Sequence, residues 1–273
     1  MKDILRLFRR HGTSEKNEAK PEGAPQEEPP RPERLTYAVG DIHGCLAPLE
    51  ALLQRIRDDA GGKPHDIVFL GDYVDRGPES ARVLERLRAL EEEADERRRV
   101  ICLKGNHDAM MLHFMDAPED GVRWLFLGGQ ETLASFGIGH VSMQADIDNP
   151  MTARVAAQAE ALRTQLGDAA AQWLAARPLW WRSGDLVAVH ALTDPALPME
   201  AQSEETLLWE RPGRRLVPRA DGTWIVHGHT IVPEPSVRAR HVSVDTGAFN
   251  GGPLTAAVFT PGSPIRFLAA LRQ

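Results

Sequence analysis

Three short polar clusters carry residue types that can do chemistry: Gly40-Asp41-Ile42-His43-Gly44, Gly71-Asp72-Tyr73-Val74-Asp75-Arg76-Gly77 and Gly105-Asn106-His107-Asp108. Asp41 and His43 stand two apart, so in extended chain both side chains point to the same side. A carboxylate beside an imidazole suits a divalent transition ion such as Mn, Fe or Zn better than Ca or Mg. Asp72 offers a second carboxylate and Asn106 a neutral oxygen. Two later stretches, Val189-His190-Ala191 and His227-Gly228-His229-Thr230, add imidazoles. Asp41, His43, Asp72, Asn106, His190 and His229 together suffice for two metal ions that share one bridging carboxylate. Singly, each signal is weak. An Asp-x-His is usually a turn or a cap, and Gly-Asn-His-Asp can be a turn before a helix with Asn106 as its N-cap. The order of the whole set, one α/β unit apart, is what outweighs chance.

Elements that end at these clusters can be read from periodicity. Leu35–Val39, Asp66–Leu70 and Arg99–Leu103 are short apolar runs, each followed by one cluster. Between them, Pro48–Asp58 and Glu79–Glu93 repeat their apolar residues at helix spacing. This β-α-β-α-β order predicts a parallel sheet, whose ligands bind beyond the carboxyl ends of the strands. Asp108 to Ala176 reads as mostly helical, interrupted by a loop after Phe136. From Leu179 onward the runs Leu186–His190, Trp224–Val226, His241–Val244, Leu254–Phe259 and Ile265–Leu268 predict a second, mixed or antiparallel sheet packed on the first.

Composition narrows the classes. The 273 residues carry a net charge of −7, with 42% hydrophobic and 26% charged residues, the profile of a globular protein. The acidic balance excludes a basic nucleic-acid footprint. No apolar run approaches the roughly 18 residues of a membrane span. Cys45 and Cys102 cannot build a disulfide scaffold, and both read as packing residues. Residues 1–10 (MKDILRLFRR) are broken by Arg6 and lack a secretory pattern, so the expected compartment is the cytoplasm. Residues 1–34, rich in Pro and Glu, are expected to be a disordered tail, with one catalytic domain over 35–273.

The motifs GDIHG, GDYVDRG and GNHD, followed by VHA at Val189, LLWER from Leu207, HGHT at His227 and DTGA at Asp245, resemble the phosphoprotein phosphatase family of binuclear metallophosphoesterases. The GNHD and HGHT forms are similar to its bacterial and phage serine/threonine phosphatases. The resemblance implies an α/β fold of the calcineurin-like kind, a β-sandwich flanked by helices in αββα layers. It implies one metal on Asp41, His43 and Asp72 and another on Asp72, Asn106, His190 and His229, with Mn suited to assays and Fe or Zn as further options. Arg76 and Arg211 would hold phosphate oxygens, and His107, oriented by Asp75, would be the general acid. The implied activity is hydrolysis of phosphoserine and phosphothreonine in proteins, or of a small phosphoester, by direct attack of a hydroxide held between the two metals. A symmetrical diadenosine tetraphosphate hydrolase is the alternative, and a catalytically silent phospho-binding scaffold the third reading. This chain departs from the family in having Ala191-Leu192 after the metal histidine, and His227 has no assigned role.

Overall fold

A computed structural model of the chain describes residues 28–140, 150–213 and 216–271. The three expected strands form as β1 (Leu35–Val39), β2 (His65–Phe69) and β3 (Arg98–Cys102), parallel and in register through Val39↔Phe69 and Phe69↔Cys102. The connecting helices are α1 (Leu46–Ala60) and α2 (Ser80–Glu92). On α1, Leu49, Leu52, Leu53 and Ile56 are all buried, the single stripe that their spacing dictates.

The remaining helices are α3 (Asn106–Asp116), the short α4 (Val122–Trp124), α5 (Gln130–Ser135), α6 (Met151–Leu166), α7 (Asp168–Ala175) and α8 (Glu204–Trp209). Leu125–Gly129, between α4 and α5, is a wide π-type turn. Most of the loop expected after Phe136 lies outside the described residues. Among the described residues, no helix is long and apolar enough to cross a membrane.

The second sheet runs in the order β4 (Trp180–Ser183), β5 (Leu186–Val189), β6 (Trp224–His227), β8 (His241–Ser243), β7 (Ser236–Arg238) and is mixed, as expected. Two of its strands, β4 and β7, carry no apolar run. They are edge strands with exposed Arg182 and Val237, so the sequence gives them no alternating signature.

The expectation that Leu254–Phe259 and Ile265–Leu268 join the second sheet is corrected. β9 (Leu254–Phe259) pairs antiparallel with β1, and β10 (Arg266–Ala270) pairs with β9, giving the first sheet the order β10-β9-β1-β2-β3. All six residues of β9 are buried, which suits an interior position covered on both faces and not a solvent-facing strand.

Alternation sorts each strand between two cores. Ala38, Val68 and Ala257 of the first sheet face Ala188, Val226 and Val242 of the second. Tyr37, Val39, Ile67 and Phe69 point the other way, into the layer formed by α1, α2, α3, α6 and α7. Val187, Val189 and Ile225 meet Leu207 of α8 on the outer face of the second sheet. The layers are therefore α, β, β, α, the expected fold class.

The expected tail partly lies outside the described residues, which begin at Glu28. Its last stretch, 28–34, is packed. Arg31 N donates to Asp185 Oδ1 (2.6 Å), Glu33 N to Ser183 Oγ (2.9 Å), and Pro30 and Pro32 are buried. Prolines that cannot donate a ladder bond still cover the β4–β5 turn.

Leu52→Ala is expected to lower the unfolding free energy by about 2–5 kcal/mol, because a fully buried side chain leaves a cavity. Arg55→Ala, on the exposed face of the same helix, is expected to change it by less than about 0.5 kcal/mol. Urea denaturation of both variants checks the assignment of the two faces.

Candidate active site

Each expected cluster begins where a strand ends, and the chain turns sharply there. Seven non-glycine residues among those described have positive φ. Five are His43, Asp72, Asp75, Arg76 and His229. Such conformations cost on the order of 1–3 kcal/mol each and persist only where the surroundings impose them. Here the turns aim side chains from β1, β2 and β6 at one crevice.

Asp72 lies at its centre. Its Oδ2 is 3.5 Å from His43 Nε2 and 3.5 Å from His190 Nε2, and its Oδ1 accepts the backbone N–H of His107 at 2.9 Å. Asn106 Oδ1 lies 2.8 Å from His190 Nε2 and 3.0 Å from His229 Nδ1. Ligand atoms of Asp72, His190 and His229 all fall within 4.8 Å of one another, as do those of His43, Asp72 and His107. The structure thus brings four of the other five expected metal-binding side chains, His43, Asn106, His190 and His229, around Asp72. Asp41 sits at the edge of the group, with both carboxylate oxygens 3.1 Å from the backbone N of His229.

The donor set fits divalent cations. Burial lowers the basicity of His43 to about 3 and of His229 to about 4, and lowers that of His190 as well. All three imidazoles are therefore neutral at pH 7, the protonation state in which an imidazole ligates a metal. His43 Nδ1 lies 2.7 Å from Val74 O and His190 Nδ1 lies 3.0 Å from Leu70 O. Those carbonyls fix the proton on Nδ1 and turn Nε2 toward Asp72. His229 Nε2 is buried with no hydrogen-bond partner. Burial, then repulsion from Asp245 and Asp72, pushes the Asp41 carboxyl well above its ordinary range. Such crowding of acids calls for a cation.

His107 and Asp75 form a second unit. Their Nδ1 and Oδ2 atoms are 2.6 Å apart, and Asp75 is wholly buried. Sequence reading missed what holds Asp75. The indole N–H of Trp124 donates to its Oδ2 at 2.8 Å, and the hydroxyl of Thr132 donates to its Oδ1 at 2.7 Å. Both come from the helical region after Asp108, where single residues carry no motif. Asp108 was also missed. Its carboxylate accepts from the N–H groups of Asp72, Tyr73 and Gly105 at 2.9–3.0 Å, locking the second cluster onto the third.

Arg76 reaches over the crevice. Its Nη1 donates to His43 Nε2 (3.0 Å) and its Nη2 to His107 Nε2 (2.9 Å), while the guanidinium carbon lies 4.6 Å above the Phe249 ring. Arg211 is set apart from this group. It is exposed, on the wall of a cavity of about 270 Å³ that Leu192 and Glu210 also line. Its charge still reaches His229, whose basicity it helps lower after burial and His190. His227 is buried, with Nε2 3.1 Å from Ser243 Oγ, so it braces β6 against β8 and its nitrogens do not face Asp72. Ala191 N donates to Leu207 O at 2.9 Å, tying the departure after His190 to α8.

Gly228 is packed directly against an expected metal ligand. A Cβ there would stand 2.0 Å from Asp41 Oδ1, so any side chain expels the carboxylate from its place beside His229. Gly228→Ala is expected to weaken Mn binding at least ~10-fold, as loss of a ligand-orienting contact does. Gly139→Ala, where nothing lies within 4 Å, should leave it unchanged. Titration calorimetry with Mn on the two variants reads the difference.

Comparison with known proteins agrees with this geometry. Over 240 residues the chain is 31% identical to serine/threonine-protein phosphatase 1 of Salmonella typhimurium (strain LT2), a match covering 82% of this chain and 91% of that protein. It is 42% identical over 77 residues to the symmetrical bis(5'-nucleosyl)-tetraphosphatase of Pseudomonas putida (strain W619), covering 28% of this chain and only 24% of that relative. A solved structure described as a putative diadenosine tetraphosphatase superposes with a TM-score of 0.59 at 22% identity, over 88% of this chain and 95% of the other; that likeness is one of fold. Residues 35–233 match the calcineurin-like phosphoesterase family, and with a crevice of this make-up at its strand ends the chain belongs to that family.

Proposed function

We propose that this chain is a metal-dependent phosphomonoesterase that removes phosphate from phosphoserine and phosphothreonine in proteins. The observation that carries this reading is the buried Asp75–His107 pair with Arg76 against it. Burial alone would lower the basicity of His107, but the carboxylates of Asp72 and Asp75 outweigh it and hold it above its ordinary value. A protonated imidazole is what a poor alkoxide leaving group requires. Asp75 keeps one proton on Nδ1, which leaves Nε2 to face the leaving oxygen. In the arrangement described, Arg76 Nη2 donates to that same Nε2, so Nε2 carries no proton there. When the guanidinium turns to phosphate oxygens, Nε2 is released to hold one. The planar fork of Arg76 matches two such oxygens, and Arg211, at the rim, is assigned a third.

Asp41, His43 and Asp72 would hold one divalent ion, and Asp72, Asn106, His190 and His229 the other. Two such ions, Mn, Fe or Zn by their donors, supply Lewis-acid charge for the phosphoryl oxygens and an activated water. The protein's part is to keep these donors buried, neutral where they are imidazoles, and fixed by backbone carbonyls.

The relation to the Salmonella phosphatase, which spans most of both chains, supports the protein phosphatase reading. A second reading, symmetrical dinucleoside tetraphosphate hydrolysis, is supported by the higher identity to the Pseudomonas tetraphosphatase over its 77 matched residues. A silent scaffold has less support, since His107 and all six donor residues are present.

The test compares kcat/KM for a phosphoserine peptide and for diadenosine tetraphosphate, with Mn supplied. At least a tenfold advantage for the peptide is the expected result. The reverse ratio selects the tetraphosphatase, and turnover of neither removes both readings. His107→Asn is expected to lower kcat by about 10²–10⁴ while Mn binding is retained; an unchanged rate would take the acid role from His107.

A further inference from the structure

Beside Arg76 the crevice continues into an open cleft of about 580 Å³. Arg76, Phe126, Leu127 and Phe249 line it, together with the polar residues Gln130, Glu131 and His140. Phe126 is 70% exposed, the most exposed large apolar side chain among the described residues. A single exposed ring is ordinary on a protein surface; what marks this one is that it lines the same cleft as Arg76.

The backbone that carries the ring is fixed. Phe126 is the second residue of the π-type turn Leu125–Gly129, whose neighbours Trp124 and Leu125 are buried. Gly128 in the turn has φ +118°, and a Cβ there would stand 2.6 Å from Arg76 N; the chain passes that close. Arg76 N donates to Gly128 O at 3.3 Å. On the far side, Phe249 is pinned by the Arg76 guanidinium at 4.6 Å and by an edge contact with His43 at 5.2 Å. The Phe249 ring and the backbone that carries Phe126 are thus fixed relative to the arginine assigned to phosphate and, through it, to His107.

We infer that Phe126 is a specificity-determining residue: with Phe249 it forms an apolar clamp for a hydrophobic side chain next to the phosphorylated residue of the substrate. This rests on the phosphatase reading above and deepens it. The cleft is continuous with Arg76, and Arg76 Nη2 touches His107 Nε2, so it opens on the side where the leaving group and its attached chain must lie. A residue of that chain with an aliphatic or aromatic side chain can displace water from both rings, whereas glycine buries nothing there.

Two phosphoserine peptides that differ only in their flanking residues, Leu in one and Gly in the other, provide the test. With the Mn-loaded full chain, kcat/KM for the Leu peptide should exceed that for the Gly peptide about tenfold, the scale of discrimination an apolar pocket gives. Phe126→Ala should bring that ratio toward one, through KM more than kcat, and Phe126→Leu should keep most of it. Circular dichroism of both variants establishes that they fold. A wild-type ratio within twofold of one, or a ratio that Phe126→Ala leaves in place, overturns the clamp. Release of phosphate from neither peptide fails the phosphatase reading itself, and the clamp with it.

Discussion

Asp72 is the group on which the crevice depends. It is buried, left-handed in backbone, and met on one oxygen by His43 and His190 and on the other by the N–H of His107. Burial alone would raise its carboxyl, but the imidazoles of His190, His107 and His43 hold it below the usual carboxylate range. It therefore stays charged in a place where charge is costly. Strand ends from both sheets converge on that one anion: Leu70 and Asp72 follow β2, Asn106 opens α3 after β3, His190 follows β5 and His229 follows β6. Removing the carboxylate would leave these elements in place but with no common target.

The second dependency runs outward from Asp75. Its oxygens receive His107, Trp124 and Thr132, and its own N–H donates to Thr132 Oγ1 at 2.8 Å and Ser80 Oγ at 3.1 Å. One buried acid thus binds the His107 imidazole to α2, α4 and α5. Helices that pack by apolar contact alone could shift by a rotamer; a carboxylate with several fixed donors does not allow it. The helical region after Asp108 is in this sense part of the site's frame, not a cover laid over it.

How much of this could be read from residues alone divides along a physical line. The crevice-lining set was legible because each member sits in a short polar run directly after an apolar run, and strand ends in a parallel sheet share one edge. Trp124, Thr132 and Phe249 were not, because their roles come from tertiary packing and each looks ordinary in its own neighbourhood; Asp108 stands in the third cluster, but its bonds to the second exist only in the fold. The fold was legible to the same depth. Apolar runs marked β1, β2, β3, β5, β6, β8, β9 and β10, but nothing local says that β9 returns to pair with β1, since burial on both faces suits either sheet. Edge strands β4 and β7 lack the runs altogether. Arg211 is a further case: its motif is present, yet it stands at the rim and not among the residues around Asp72.

The left-handed residues carry one more implication. His43, Asp72, Asp75, Arg76 and His229 are five of the seven strained non-glycine points among the described residues, and all five carry groups that line the crevice or brace it. Glycine at any of them would relax the backbone and delete the working group in the same stroke. Rigidity and reactivity are thus tied to the same addresses, and a heat-hardened descendant of this sequence would have to acquire its robustness elsewhere, in helix interiors and sheet cores.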